Sequence, residues 1–203
     1  MSRLWLSDRP LVLASQSSAR RKLLEAAGLP FEVVPAEIDE EAFRGAHQHL
    51  AASELAQHLA FEKAKAVSRT LPDHLVLGSD QTLEHSGQIF SKSGSVENAA
   101  LQLRTLSGSS HMLWSAASVV RNSEEIFRCV SQATVTIRSL SDDMIATYIE
   151  AADSSIVQSV GGYQMEAAGL HLFDRVDGDY WTILGLPMLQ ICQQMRRHGL
   201  LAE

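Results

Sequence analysis

The chain predicts an α/β fold, with strands and helices alternating along 203 residues. Short apolar runs bounded by turn residues recur at Leu11 to Ala14, Phe31 to Val34 and His74 to Gly78, the pattern of buried strands. Segments of helical period stand between them, opened by cap residues and closed by glycines. Two longer β-rich runs, His111 to Arg121 and Ile126 to Ile137, are joined by Asn122-Ser123 and read as a pair.

In chain order, the first strand is followed by Ser15-Gln16-Ser17-Ser18, which supplies cap candidates for a helix through ARRKLLEAAG with Gly28 as its stop. Pro30 and Pro35 bracket the second strand, FEVV, and EIDEE reads as an acidic turn. From about Leu50 to Thr70, Leu55, Leu59 and Ala66 set against Glu54, Glu62, Lys63 and Arg69 give an amphipathic helix. The run HLVLG then reads as a strand that delivers Ser79-Asp80-Gln81 at its carboxyl end, where open α/β sheets bind ligands. Ser86-Gly87 reads as a hairpin turn. Ser95 caps a helix through Ala99, Leu103 and Leu106 to Gly108, and Ser141-Asp142-Asp143 opens another through Tyr148 with its carboxylates in the favoured first turn. Pro187 begins a closing helix that Gly199 stops. No repeat or linker interrupts the chain, so residues 1–203 are expected to form one domain.

An apolar content of 45% is that of an ordinary globular protein. No apolar run approaches the roughly 18 residues a membrane helix needs, and MSRLWLSDRP lacks the apolar region of a signal peptide. Cys129 and Cys192 are far apart and have no metal-type spacing, which fits a reducing, cytoplasmic setting. A formal charge of -7 argues against a nucleic-acid polymer as partner, because binding a phosphate backbone needs a field of cations. A nucleotide needs only a local basic pocket.

The GxxxxGK[ST], GxGxxG, HExxH and GxSxG signatures are absent. What remains is LASQSSARR, which puts hydroxyls and free backbone N–H groups at a helix N-terminus with Arg20 and Arg21 nearby, a credible phosphate cradle. The same segment also reads as a plain N-cap with solvated arginines. Asp80 is placed to bind a metal or take a proton from water, or simply to close a strand. Glu37, Asp39 and Glu40 suit Mg²⁺, or form a solvated acidic loop. Lys63 and Lys92 are single cations of the kind usually found at the surface. The eight histidines show no ligand spacing, and His111 reads as a strand-start residue.

Together these segments resemble the Maf-like nucleotide pyrophosphatases, a family related in fold to the inosine-triphosphate pyrophosphatases. The resemblance covers nearly the whole chain: LASQSSARRKLL, FEVVPAEIDE, LAFEKAKAV, LVLGSDQ, Lys92 before a helix, LRTLSGSSH, VGGY and GDYWTILGLP follow in register. It implies a mixed twisted sheet flanked by helices, with a cleft between a larger lobe carrying both termini and a smaller one built from the middle segments. It also implies a homodimer, and hydrolysis of a nucleoside triphosphate to the monophosphate and pyrophosphate. Ser15, Arg20 and Arg21 resemble the triphosphate-binding loop, Glu40 an acidic metal-site residue, and Lys63 and Lys92 the phosphate-facing lysines. Asp80 resembles the proton acceptor and a second metal ligand. The implied reaction is attack on the α-phosphorus by water that Asp80 deprotonates beside Mg²⁺ or Mn²⁺.

The chain departs from the family where Ser-Pro-Arg-Arg is common, having Ser17-Ser18-Ala19-Arg20, and where Lys-Pro is usual, having Lys92-Ser93. Gln81 and Glu166 resemble the branch that prefers 7-methyl-GTP. A carboxylate accepts hydrogen bonds from a guanine-type N1–H and amine, and favours a cationic methylated base. The family's association with septum formation offers a rival reading, a non-catalytic partner in cell-division control.

Overall fold

The computed structural model describes residues 4–152 and 154–202. The chain divides into two compact units. The first comprises the chain up to Gln81, Ser115–Ser131 and the chain from Gly185 onward; the second comprises Thr82–Trp114 and Gln132–Leu184.

In the first unit, β1 (Leu11–Leu13) is fully buried and pairs in parallel on both sides. One partner is β2 (Phe31–Val33), with Leu11 opposite Phe31, and the other is the start of β3 (Val76–His85), with Val12 opposite Val76. A parallel strand covered on both faces needs apolar residues at every position, which is why LVL reads as an unbroken run. The helix α1 (Ser18–Ala26) connects β1 to β2, and its N-cap Ser17 accepts from the Arg20 N–H. Gly28 beyond it has a φ of +65°, the left-handed stop expected of a glycine there.

EIDEE is not only a turn. Asp39 accepts from the Ala42 N–H and caps α2 (Glu40–Ala46), a seven-residue helix with no buried residue. Without an apolar stripe it has no hydrophobic period to betray it. The long helix α3 (Ala52–Thr70) buries Leu55, Ala56, Leu59, Ala60, Lys63, Ala64, Val67 and Ser68. Lys63, grouped in the sequence with the polar face, therefore lies in the buried stripe, and Ala66 lies beside it. This helix approaches β3 closely. A Cβ on Gly78 would stand 2.1 Å from the Ala60 carbonyl oxygen and 2.6 Å from the Ala64 nitrogen.

The strand expected to end at Gly78 continues to His85, so Asp80 sits within a strand and not at its carboxyl end. Ser79, Asp80 and Gln81 look like a polar turn in the sequence. They remain in the strand because each side chain finds a polar partner, and because Thr82 and Leu83 beyond them are fully buried.

In the second unit, Ser86 and Gly87, with φ of 51° and 76°, turn the chain into β4 (Gln88–Phe90), antiparallel to the end of β3. These are the dihedral signs a two-residue hairpin turn requires. Ser95 caps α4 (Val96–Leu106) and Ser141 caps α5 (Asp142–Ala151), as their spacing predicts. Leu103, Leu106, Ile145 and Tyr148 from these helices join Leu113, Val135 and Ile137 in the unit's core. Leu113 lies on β5 (Ser110–Arg121), and Val135 and Ile137 on β6 (Glu124–Ile137); the two strands flank Asn122-Ser123, both at positive φ. The strand β7 (Phe173–Asp177), antiparallel to β6, and α6 (Tyr180–Ile183), capped by Asp179, have no clear period in the sequence. The strands hydrogen-bond in the order β2-β1-β3-β5-β6-β7, with β4 on β3, which makes a mixed seven-stranded sheet. The first unit closes with α7 (Met188–Arg197), led by Pro187 and ended before Gly199 at a φ of 67°.

Among the described residues no helix is long and apolar enough to cross a membrane. Both cysteines are free, and burial pushes the Cys129 thiol up to about 12.

Candidate active site

Asp80, on β3 in the first unit, is only 3% exposed. A carboxylate so far from water needs charged partners, and it has two. Lys63 Nζ lies 2.7 Å from Oδ1 and Arg44 Nη2 lies 2.8 Å from Oδ2. Lys63 also reaches Glu40 Oε1 at 2.9 Å, so one ammonium joins two carboxylates. The result is an alternating chain of charges, Arg44, Asp80, Lys63, Glu40, whose formal charge is zero. Glu40 and Arg44 stand four residues apart on α2 and so share a face. Lys63 is brought to Asp80 by the close α3 to β3 approach that Gly78 permits.

Beside this group lies a second one, built on Arg20. Its Nε donates to the Gly185 carbonyl at 2.8 Å, and Nη1 donates to the Ser79 carbonyl at 2.9 Å and to Ser15 Oγ at 3.2 Å. Ser79 Oγ donates to the same Gly185 carbonyl at 2.8 Å. Ser15 Oγ also accepts from the Ser17 N–H. Arg20 thereby ties the β1–α1 loop, β3 and the segment before α7 together. Desolvation lowers its pKa, opposed by the fields of Asp80 and Glu40. The next residue on β3, Gln81, donates from Nε2 to Ser115 Oγ at 3.0 Å.

The structure thus gathers Ser15, Arg20, Glu40, Lys63, Asp80 and Gln81, six of the residues picked from the sequence. Arg21 is exposed on α1. Of the acidic trio, only Glu40 meets the group; Asp39 is spent as a helix cap and Glu37 is exposed. Lys92 and Glu166 lie in the second unit. Lys92 is exposed and bridges Val160 through its backbone, and Glu166 is exposed before a 3₁₀ turn at Ala168–Leu172. Sequence reasoning missed Arg44 and the Gly185 carbonyl. The i, i+4 spacing of Glu40 and Arg44 is the one local signal that pointed to the former; nothing local points to the latter, 165 residues from its partner.

A divalent ion fits part of this arrangement. Asp80 Oδ1 and Glu40 Oε1 already converge on one cation, Lys63 Nζ, and hard carboxylate oxygens suit Mg²⁺ or Mn²⁺. Among the described residues no group of three or more His, Cys, Asp or Glu side chains is placed to hold a metal. Two carboxylates are the usual protein share where phosphates and waters complete the shell of Mg²⁺.

The fold and this site define an α/β protein whose buried strand aspartate is held by flanking cations. The chain belongs to the Maf family: the family model for Maf-like protein matches residues 10–198. A protein of Rhodopseudomonas palustris (strain BisB18), named nucleoside triphosphate pyrophosphatase, is 48% identical over 199 residues, 98% of each chain. One of Rhizobium meliloti (strain 1021), named 7-methyl-GTP pyrophosphatase, is 45% identical over 93% of this chain and 96% of its own. A solved HAM1 protein from Coxiella burnetii is similar over 63% of this chain and 72% of its own, with 16% identity and a TM-score of 0.42.

Proposed function

We propose that this protein hydrolyses a nucleoside triphosphate to the monophosphate and pyrophosphate. The observation that carries the reading is Asp80, an acceptor-only carboxylate inside a strand with Lys63, Arg44 and Glu40 around it. Asp80 takes the proton of the water that attacks the α-phosphorus. Each of its oxygens has a lone pair beyond the one its cation uses, so the base function and the ion pairs are compatible. Lys63 and Arg44 offer positive charge to phosphate oxygens as charge develops in the transition state. Arg20 holds Ser15 and the Ser79 carbonyl and so sets the loop and the strand on either side of Asp80; Arg21 and Lys92 enter the reading as phosphate-binding cations on the family resemblance alone. Asp80 and Glu40 would hold Mg²⁺ or Mn²⁺, which neutralises phosphate charge when bound.

For the base, Gln81 and Glu166, with the relative named 7-methyl-GTP pyrophosphatase, favour a guanine-type or methylated purine. The free cysteines suit a cytoplasmic setting. A homodimer is proposed on the family resemblance; light scattering tests it, and a monomeric mass removes it. The activity is tested by a Mg²⁺- or Mn²⁺-dependent screen of ordinary and methylated nucleoside triphosphates, with pyrophosphate and orthophosphate measured separately. Pyrophosphate from one or a few bases is the expected result. Orthophosphate alone would make the protein a phosphomonoesterase, and silence from folded protein would remove the enzyme reading.

A further inference from the structure

Arg44 lies outside the segments that carry the family resemblance, yet it holds half of the Asp80 carboxylate. Its guanidinium is divided. Nη2 donates to Asp80 Oδ2 at 2.8 Å, whereas Nη1 is buried and has no hydrogen-bond partner among the described residues. A buried donor without a protein acceptor is unfavourable, and a ligand oxygen is one group that satisfies it. The ion pairs around it are already balanced: Asp80 and Glu40 stand against Lys63 and Arg44. A triphosphate with its divalent cation disturbs that balance from both sides. The metal competes for the carboxylates, and the phosphates compete for the cations.

Of the two cations, Arg44 is the one free to change partners. Lys63 belongs to the buried stripe of α3, but α2 carries no buried residue, so Arg44 shifts without opening a core. A guanidinium fork also suits two phosphate oxygens in a way an ammonium does not. We infer that Arg44 is a phosphate-binding residue that exchanges partners: it covers Asp80 Oδ2 until the triphosphate arrives, then turns its fork onto the phosphate oxygens and frees that carboxylate. The catalytic carboxylate is thereby uncovered by the substrate itself. This inference rests on the pyrophosphatase reading above.

The test uses Arg44→Met and Arg44→Lys in the full chain, each checked for an unchanged melting temperature; the lysine variant carries the test if the methionine variant does not fold. Mn²⁺ binding to nucleotide-free protein is titrated by electron paramagnetic resonance of the free ion, and KM and kcat are measured with the best triphosphate. Loss of the competing guanidinium is expected to tighten Mn²⁺ binding about tenfold in Arg44→Met, while KM rises about 10- to 100-fold for the lost charge-assisted contact. Arg44→Lys, with charge but no fork, is expected to fall between. An unchanged KM, or Mn²⁺ affinity that does not increase, overturns the exchange. Absence of pyrophosphate release by the unaltered protein overturns the underlying reading instead, and the Mn²⁺ titration, which needs no turnover, keeps the two failures apart.

Discussion

Gly78→Ala is a one-carbon perturbation whose effect is readable from the packing of α3 on β3. The added Cβ would meet the Ala60 carbonyl oxygen at 2.1 Å, the Ala64 nitrogen at 2.6 Å and the Ala64 Cβ at 2.9 Å. Two of these are backbone atoms of a helix, so no side-chain rotation relieves the clash. Helix and strand must separate by on the order of 1 Å to restore ordinary contact distances. Overpacking of this kind costs about 1–3 kcal/mol, and rigid backbone on both sides puts this case near the upper end. For a chain of this length that corresponds to roughly 5–10 °C in Tm. The same displacement pulls Lys63 Nζ from its 2.7 Å contact with Asp80, and a misplacement of about 1 Å at a reacting group lowers turnover on the order of 100-fold. Thermal melting followed by circular dichroism, with pyrophosphate release measured well below Tm, separates the two effects. A Gly78→Ala variant that kept both its Tm and its kcat would show that this glycine does not set the spacing of Lys63 and Asp80.

Asp80→Asn is expected to lower kcat by about 10²- to 10⁴-fold, the range for loss of a general base, with secondary structure retained; turnover within threefold of the original would move the base elsewhere. Arg20→Lys keeps the charge but loses the fork that spans the Gly185 and Ser79 carbonyls, so a fall in stability of about 1–3 kcal/mol by urea titration is expected, with an unaltered midpoint refuting the clamp. His111, whose Nε2 lies 2.6 Å from Tyr163 Oη, has its pKa lowered to about 4, chiefly by burial and next by His85. Its folded pKa is below the unfolded one. Its contribution is therefore complete above about pH 6.5 and lost as pH falls toward 4, by about 3 kcal/mol in all. Denaturant midpoints from pH 8 to 4.5 should show that loss, and His111→Gln should flatten it; equal slopes would assign the pH dependence to other groups.

The features legible in the sequence are those whose causes are local. Ser17, Ser95 and Ser141 cap helices because a hydroxyl reaches an N–H three residues on, and Gly87 and Asn122 accept the positive φ that their turns require. Alternation of such units is enough to predict the α/β class, and the register of motifs is enough to predict the family. Asp80, Lys63, Glu40, Arg20 and Ser15 were legible as candidates on the same footing. Their arrangement was not. Lys63 reads as surface by residue type, and only Asp80 and Glu40, from 17 and 23 positions away, make a buried lysine tolerable. The sequence by itself determined where the serine-capped helices start, where the tight turns fall and which chemical groups are at hand, because caps, turns and periodicity are set within a few residues. Only the tertiary structure decided that β3 runs on through Asp80, that Arg44 covers it and that Arg20 reaches Gly185, because each of these depends on a partner supplied by distant chain, and burial of a charge or polar group is stable only once that partner is in place.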